Sequence, residues 1–190
     1  FIFQQFNLIE TLSIYQNVEL PLLYDGKLNK SERENIVKEK LEQVGLLDKI
    51  KSMPLQLSGG QQQRVAIARS LVNNPKLIFA DEPTGALNKR NTGEVLDLLT
   101  ELNKEGQSIL MVTHDLRAAV RGTRLLYLED GKILDELSMP VFHPVDERTR
   151  EAAINAWLAS FQWSRGGPLT DDALFSFADL KRHQSSLSRV

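Results

Sequence analysis

The chain contains no cysteine, so no disulfide holds it together, and this fits a reducing compartment. It also lacks any apolar run near the roughly 20 residues needed to cross a bilayer. Its longest runs, Leu77 to Ala80 and Ile109 to Val112, are the size of strands. A role at a membrane therefore calls for another polypeptide to supply the spanning part. An excess of one charge is missing too: 23 basic residues face 25 acidic ones, which implies no strong pull toward nucleic acid. There is no internal repeat and no low-complexity tract. What remains is a chain of 190 residues, long enough for one domain with a sizeable core. Its text begins at Phe1 inside an apolar run, which reads as the start of a fragment.

One stretch organises the rest: Leu57-Ser58-Gly59-Gly60-Gln61-Gln62-Gln63-Arg64. A helix is predicted from Gln61 to Asn73, with Val65, Ala66, Ile67, Ala68, Leu71 and Val72 as its apolar positions. Ser58 is a strong N-cap, and Gly59 and Gly60 leave no Cβ to keep a ligand from the backbone. The first turn of such a helix carries unpaired N–H groups and partial positive charge, which suits an anion such as phosphate. An ordinary capped helix has the same appearance.

Phe1-Ile2-Phe3-Gln4 reads as the end of a buried strand that delivers a glutamine to a loop. Phe6 to Tyr24 is apolar and interrupted by Pro21; its Phe6, Leu8, Ile9 and Leu12 suit a partner surface or a core equally. A helix opens at Asn29 with a capping box at Ser31 and Glu34, and Gly45 stops it. Lys76 to Asp81 reads as a buried parallel strand after the break at Pro75. The adjacent carboxylates Asp81 and Glu82 then lie at a strand end, either as a site or as a solvated loop. A helix is predicted for Lys89 to Lys104 and a buried strand for Ser108 to Thr113, ending at His114. Asp130-Gly131 signals a hairpin between Arg124–Leu128 and Ile133–Glu136. Asp146 to Phe161 is read as an amphipathic helix, Gly166-Gly167-Pro168 as a break, Thr170 as the cap of a short helix through Leu180, and Gln184 to Val190 as a frayed end. Trp157 and Trp163 read as packing anchors.

Leu-Ser-Gly-Gly-Gln resembles the signature motif of ABC-type ATPases, and the segments around it match that family in type, order and spacing from Phe1 to about Asp135. The resemblance implies an α/β fold like that of the phosphate-loop NTPases: a mostly parallel sheet flanked by helices, with a small helical subdomain at about 29–73. Residues 1–137 would form a partial ATPase domain and residues 138–190 a C-terminal helical extension. By the same resemblance Gln4 is the Q-loop glutamine, which senses the metal and the attacking water. Asp81 is the Walker B aspartate that holds Mg²⁺, Glu82 polarises the water that attacks the γ-phosphate, and His114 is the switch histidine. Asn88 stands at the D-loop position, where relatives usually carry aspartate; it keeps an acceptor and loses the charge.

The resemblance further implies a homodimer or heterodimer of nucleotide-binding subunits, with each ATP between the phosphate loop of one and the Ser58, Gly59, Gly60 and Gln61 turn of the other. A membrane-spanning permease would be the further partner, placing the protein peripherally on the cytoplasmic side of the membrane. The pattern G-x-x-x-x-G-K-[ST] is absent: Gly26-Lys27-Leu28 and Gly131-Lys132-Ile133 lack the first glycine and the hydroxyl. Without that cradle of N–H groups little holds phosphates in cis, so hydrolysis is expected of the complete protein and not of this chain alone. Gln4 and Ser58 are 54 positions apart, which leaves no room for the long coiled-coil insertion of chromosome-maintenance relatives. Phe3-Gln4-Gln5-Phe6-Asn7-Leu8 and Ala80-Asp81-Glu82-Pro83-Thr84-Gly85-Ala86-Leu87 are similar to the lipoprotein-release and macrolide-export branch. Gly85-Ala86-Leu87-Asn88, Ala118 to Gly122 and Ala156-Trp157-Leu158 resemble its bacitracin-resistance subgroup, implying removal of an antimicrobial peptide. The rival readings are a soluble ABC protein acting on ribosomes or DNA, and an inactive truncated or regulatory fragment.

Overall fold

The computed structural model describes residues 1–165 and 174–178, with side chains through residue 160. Its first helix, α1 (Ile14–Asp25), starts where Ser13 and Gln16 cap one another reciprocally and ends at Gly26, whose φ of 68° supplies the left-handed stop. Ile14, Val18 and Leu22 recur every four residues and are fully or almost fully buried. Burying side chains of this size is worth about 1.5–3 kcal/mol each, and the helix runs through Pro21 instead of breaking there. Buried Asn17 staples the preceding loop: its amide donates to the Ile9, Leu12 and Ser13 carbonyls, and its oxygen accepts from the Ile9 N–H. Of the residues in that loop, Ile9 is exposed, while Phe6, Leu8 and Leu12 are half-buried.

Helix α2 (Lys30–Gln43) is capped two residues earlier than the sequence suggests. Asn29 and Glu32 form the capping box, at 2.7 and 3.0 Å, because Asn29 holds the extended backbone that a cap requires. Ser31 is already helical, and Glu34 is free to pair with Lys38 at 2.7 Å. Helix α3 (Gly59–Leu71) follows, with Val65, Ala66, Ile67, Ala68 and Leu71 buried. Helix α1 packs on both α2 and α3, so the helical group begins at Ile14 and not near Asn29.

The sheet uses β1 (Leu77–Asp81), β2 (Ser108–Thr113), β3 (Arg124–Glu129), β4 (Lys132–Ser138) and β5 (Leu174–Ala178) in the order β1-β2-β5-β3-β4. Strands β1 and β2 are parallel, with Leu77 opposite Ser108 and Asp81 opposite Val112. The crossover between them is α4 (Lys89–Lys104), whose Val95, Leu96, Leu99 and Leu102 are buried. Ile2 extends the parallel pairing on the far side of β1 through a bridge to Ala80. Strands β3 and β4 form an antiparallel hairpin whose Asp130 and Gly131 have φ of 49° and 71°, as a two-residue turn of matching twist demands. Parallel pairing is thus confined to the part of the sheet that carries Asp81 and Thr113.

The C-terminal part departs from an all-helical extension. Helix α6 (Glu147–Arg165) is present, but β5 is a strand where a short helix was expected through Leu180. It lies antiparallel between β2 and β3, and pairing with two main chains outweighs the local helical pattern. Thr170, the Gly166-Gly167-Pro168 break, the Gln184–Val190 end and the Trp163 side chain lie outside the described residues. The Trp157 indole packs edge-on to Tyr127 and donates to Asp135 at 3.0 Å, as a packing anchor does.

Arg150 fastens α6 to the body. It is 2% exposed, and its guanidinium donates to the carbonyls of Val120 (2.5 Å), Pro140 (2.8 Å) and Gly122. This group and that of Arg121 both stand over the Phe142 ring, at 5.7 and 5.2 Å from its centre. Arg150→Met keeps most of the volume and strips three carbonyls of their donor. It is expected to lower stability by about 1–3 kcal/mol, read as a lower urea midpoint at unchanged slope. Exposed Arg148→Ala should stay within about 0.5 kcal/mol.

Candidate functional site

The parallel register sets the site. Strands β1 and β2 end side by side, so the residues after Asp81 and Thr113 meet. Glu82 takes a φ of 43°, a left-handed conformation rare for a residue with a side chain. Its N–H bonds to the Val112 carbonyl at 2.8 Å, and its largely buried carboxylate is turned toward β2. There Oε2 accepts from the Thr113 hydroxyl at 3.1 Å, and Oε1 accepts from the His114 backbone N–H at 2.9 Å. The His114 ring brings Nδ1 to 2.7 Å from the same Oε1. With a proton on Nδ1 this is a donor–carboxylate pair, and the His114 side chain is 68% exposed. The Thr113 hydroxyl in turn accepts from the Asp115 N–H at 3.0 Å. Asp115 caps the short helix α5 (Leu116–Ala119) and forms an ion pair with Arg117 at 2.8 Å. That pairing holds the Arg117 guanidinium above its ordinary pKa, chiefly through the hydrogen bond to Asp115.

Gln4 follows Ile2, which pairs with Ala80 on the other side of β1. Gln4 itself is exposed and lies against the turn that follows Glu82: a Cβ on Gly85 would fall 2.7 Å from the Gln4 amide nitrogen. The Gly85 N–H closes that turn onto the Glu82 carbonyl at 3.0 Å. Asp81 is exposed at the strand end. Among the described residues no cluster of three or more histidine or carboxylate groups forms a metal cage. Mg²⁺ does not need one, since it is held by one or two carboxylates together with phosphate oxygens and water. The donor set of Asp81 and Gln4 fits that chemistry.

The Ser58 turn is a separate feature of the surface. Ser58 is exposed and caps α3: its hydroxyl accepts from the Gln61 N–H at 3.3 Å, and the Gln61 side chain accepts from the Ser58 N–H at 2.9 Å. Neither side chain hydrogen-bonds to Glu82 or His114. The glycines have a reason inside the chain. A Cβ on Gly59 would meet Leu87 and Phe6 at 3.4 and 3.5 Å, and one on Gly60 would stand 2.8 Å from Asn91, too close for any real contact. Asn88 caps α4 by accepting from the Asn91 N–H at 2.9 Å. The described structure therefore brings Glu82 and His114 together, sets Gln4 against Gly85 in the turn that follows Glu82, and exposes Ser58 while Gly59 and Gln61 are half-buried and Gly60 is buried.

Comparison with known proteins gives this arrangement its context. A family model described as ABC transporter matches residues 1–85. The chain is 50% identical over 137 residues to the uncharacterized ABC transporter ATP-binding protein YvrO of Bacillus subtilis, covering 72% of this chain and 59% of that protein. The dimeric cassette MJ0796 matches with a TM-score of 0.64 at 46% identity, covering 74% of this chain and 62% of that one. The chain carries ABC transporter ATP-binding domain sequence. A further relative, the macrolide export ATP-binding/permease protein MacB of Bartonella henselae, is 40% identical over 84% of this chain and 28% of its own length. The chain thus spans about 59% of YvrO, and less of the larger, permease-fused relative. A second structure of MJ0796, a dimeric post-hydrolysis state, holds ADP and inorganic phosphate, with a TM-score of 0.63 at 44% identity over 74% of this chain and 62% of that one.

Two groups in this part of the molecule escaped the sequence reading. Thr113 is an ordinary strand residue by type, and nothing in the pattern marks its hydroxyl. Gln63 did leave a signal: it sits on the buried stripe of α3 with Ile67 and Leu71, where an apolar residue belongs. It is 0% exposed, its amide nitrogen donates to the Phe3 and Pro83 carbonyls, and its oxygen is buried with no partner. An orphaned acceptor of this kind costs about 1–3 kcal/mol.

The glycines separate by environment. Gly60→Ala is expected to destabilise the chain by about 1–3 kcal/mol through overpacking against Asn91. Gly93→Ala, in the middle of α4 with nothing within 4 Å, should stabilise it by about 0.5–1 kcal/mol. Thermal unfolding of the two variants beside the parent checks both signs.

Proposed function

We propose that this chain is the catalytic and dimer-facing part of an ATP-hydrolysing subunit that energises a membrane transporter. The observation that carries the reading is the 2.7 Å contact between Glu82 Oε1 and His114 Nδ1 at the paired ends of β1 and β2. A carboxylate held by the Thr113 hydroxyl and the His114 amide is already oriented, and it is placed to polarise a water that attacks a terminal phosphate. His114 steadies that carboxylate from Nδ1 and keeps the remainder of its ring toward solvent, where a phosphate oxygen can approach. Asp81, with Gln4, would hold Mg²⁺; bound there, the ion offsets negative charge on the transferring phosphoryl group. Gln4, packed on Gly85, links the metal side of the site to the loop that leads toward Ile9 and α1.

The turn at Ser58, Gly59, Gly60 and Gln61, exposed at Ser58, serves a nucleotide seated on a second subunit, homologous or identical. Its helix start presents N–H groups and positive dipole toward an anion. The dimeric form of MJ0796 and its ADP-and-phosphate state support this assembly and this chemistry. The permease fused to the ATP-binding part of MacB supports a membrane-spanning partner, which would bring the chain to the cytoplasmic face of a membrane. Among the described residues no helix is long and apolar enough to cross one. Asn88, capping α4 at the loop between the two half-sites, passes a displacement of α4 to that loop without contributing charge.

In the assembled complex that contains this chain, Glu82→Gln is expected to lower ATP hydrolysis by about 10²–10⁴, the worth of a positioned general base. Unchanged turnover overturns the assignment. For cargo we propose a peptide antibiotic of the bacitracin kind. Deleting the gene should raise sensitivity to such peptides, and unchanged growth across a panel of them removes that cargo.

A further inference from the structure

Two loops that handle water and metal in the proposed site are held by one buried side chain. Gln63 Nε2 donates to the Phe3 carbonyl at 3.1 Å and to the Pro83 carbonyl at 2.6 Å. The Phe3 carbonyl forms the peptide bond to Gln4, and Pro83 directly follows Glu82. One amide group therefore anchors the chain immediately before the first residue and immediately after the second. No other donor reaches the Pro83 carbonyl among the described residues, and Pro83 is buried. A methionine would fill the same space without leaving an orphaned oxygen, so packing alone does not account for glutamine here.

Backbone strain gives this anchor something to do. Glu82 sits at a φ of 43°, a state that relaxes unless its surroundings hold it. The following residue is proline, whose ring fixes its own φ, so the turn has few other ways to yield. Fixing the Pro83 carbonyl keeps Glu82 in the conformation that aims its carboxylate at Thr113 and His114. The loop after Gln4 is strained in the same way, with Phe6 and Asn7 at φ of 60° and 49°. It is clamped from the same helix by Arg69, which donates to the Phe6 and Asn7 carbonyls at 3.0 and 2.6 Å. Helix α3 thus grips the Gln4 loop on both sides and the Glu82 turn on one.

We infer that Gln63 is a positioning residue that couples α3 to Gln4 and Glu82 together, so that a displacement of the Ser58 turn is passed to both. This rests on the roles proposed above for Gln4 and Glu82. The Ser58 turn begins the helix on whose buried stripe Gln63 lies, and the Gln63 amide hydrogen-bonds from that helix to the turn that carries the base.

The test uses the 190-residue chain, without turnover. In Gln63→Met, the amides of His114 and Gly85, which bond to the Glu82 carboxylate and carbonyl, are expected to lose hydrogen-exchange protection about tenfold or more. Amides of Leu96 and Leu99 inside α4 should hold within about twofold. The His114 imidazole nitrogen resonances should shift as the Nδ1 contact with Glu82 loosens. Unchanged exchange and unchanged imidazole signals overturn the inference, as does a loss of protection spread evenly through α4. If the variant does not fold, the unmodified chain decides. The side-chain amide protons of Gln63 should exchange about tenfold or more slowly than those of exposed Gln5, and equal rates overturn the inference. Because none of these readouts needs ATP, a failure of Glu82→Gln to slow hydrolysis removes the functional reading while leaving the coupling to stand or fall separately.

Discussion

Parallel pairing of β1 with β2 is the constraint on which the site depends. Side-by-side strands of the same direction finish on the same edge, so the loops leaving Asp81 and Thr113 are forced into contact. A slip of one residue would turn the pleat over and separate Glu82 from His114. Helix α4, the crossover between the two strands, buries Val95, Leu96, Leu99 and Leu102 in the same core as Ile78 and Ala80 of β1 and Ile109 and Met111 of β2. The crossover that makes the strands parallel is also the helix that abuts Gly60, so sheet register and the position of the Ser58 turn are tied through one element. The chemistry at this edge is short-range: one hydroxyl, one main-chain N–H and one imidazole nitrogen stand 3.1, 2.9 and 2.7 Å from the oxygens of one carboxylate.

Much of this was legible in the residues, and the boundaries that matched share a cause. Helix α4 carries a strong apolar stripe between an Asn cap and a basic last turn, and it runs from Lys89 to Lys104 as its pattern implies. Strand β2 alternates buried and half-buried positions, and the hairpin at Asp130-Gly131 is dictated by two residues able to take positive φ. Local signals decide such elements. They fail where two local options compete or where tertiary contacts intervene. Asn29 and Ser31 both offer a cap to α2, and the extended backbone at Asn29 selects between them. Pro21 reads as a break, yet Ile14, Val18 and Leu22 keep α1 continuous. Strand β5 is set by the vacant hydrogen bonds of β2 and β3, more than 40 residues away in the chain, which no local window contains.

The site divides along the same line. Asp81, Glu82 and His114 stand at predicted strand ends, and the family resemblance, more than residue type, singled them out. Thr113 and Gln63 were not singled out, since their importance lies in what their polar atoms reach: an adjacent carboxylate in one case, two carbonyls from distant loops in the other. The glycines taught a different lesson. Their lack of a side chain, read as room for a ligand, is filled at Gly59 and Gly60 by Phe6, Leu87 and Asn91 of the same molecule. What they leave open is the exposed cap at Ser58.

The neutral cap on α4 has a consequence in acid. Asn88 starts that helix by accepting from the Asn91 N–H. An aspartate in its place would do so best as an anion. Its carboxyl would be depressed in the folded state, contributing stability above its unfolded pKa that would drain away as acid titrated it. An amide oxygen has no proton to gain in that range. The helix that sets sheet register and shoulders the Ser58 turn therefore keeps its first turn wound at a pH where a charged counterpart would begin to unravel.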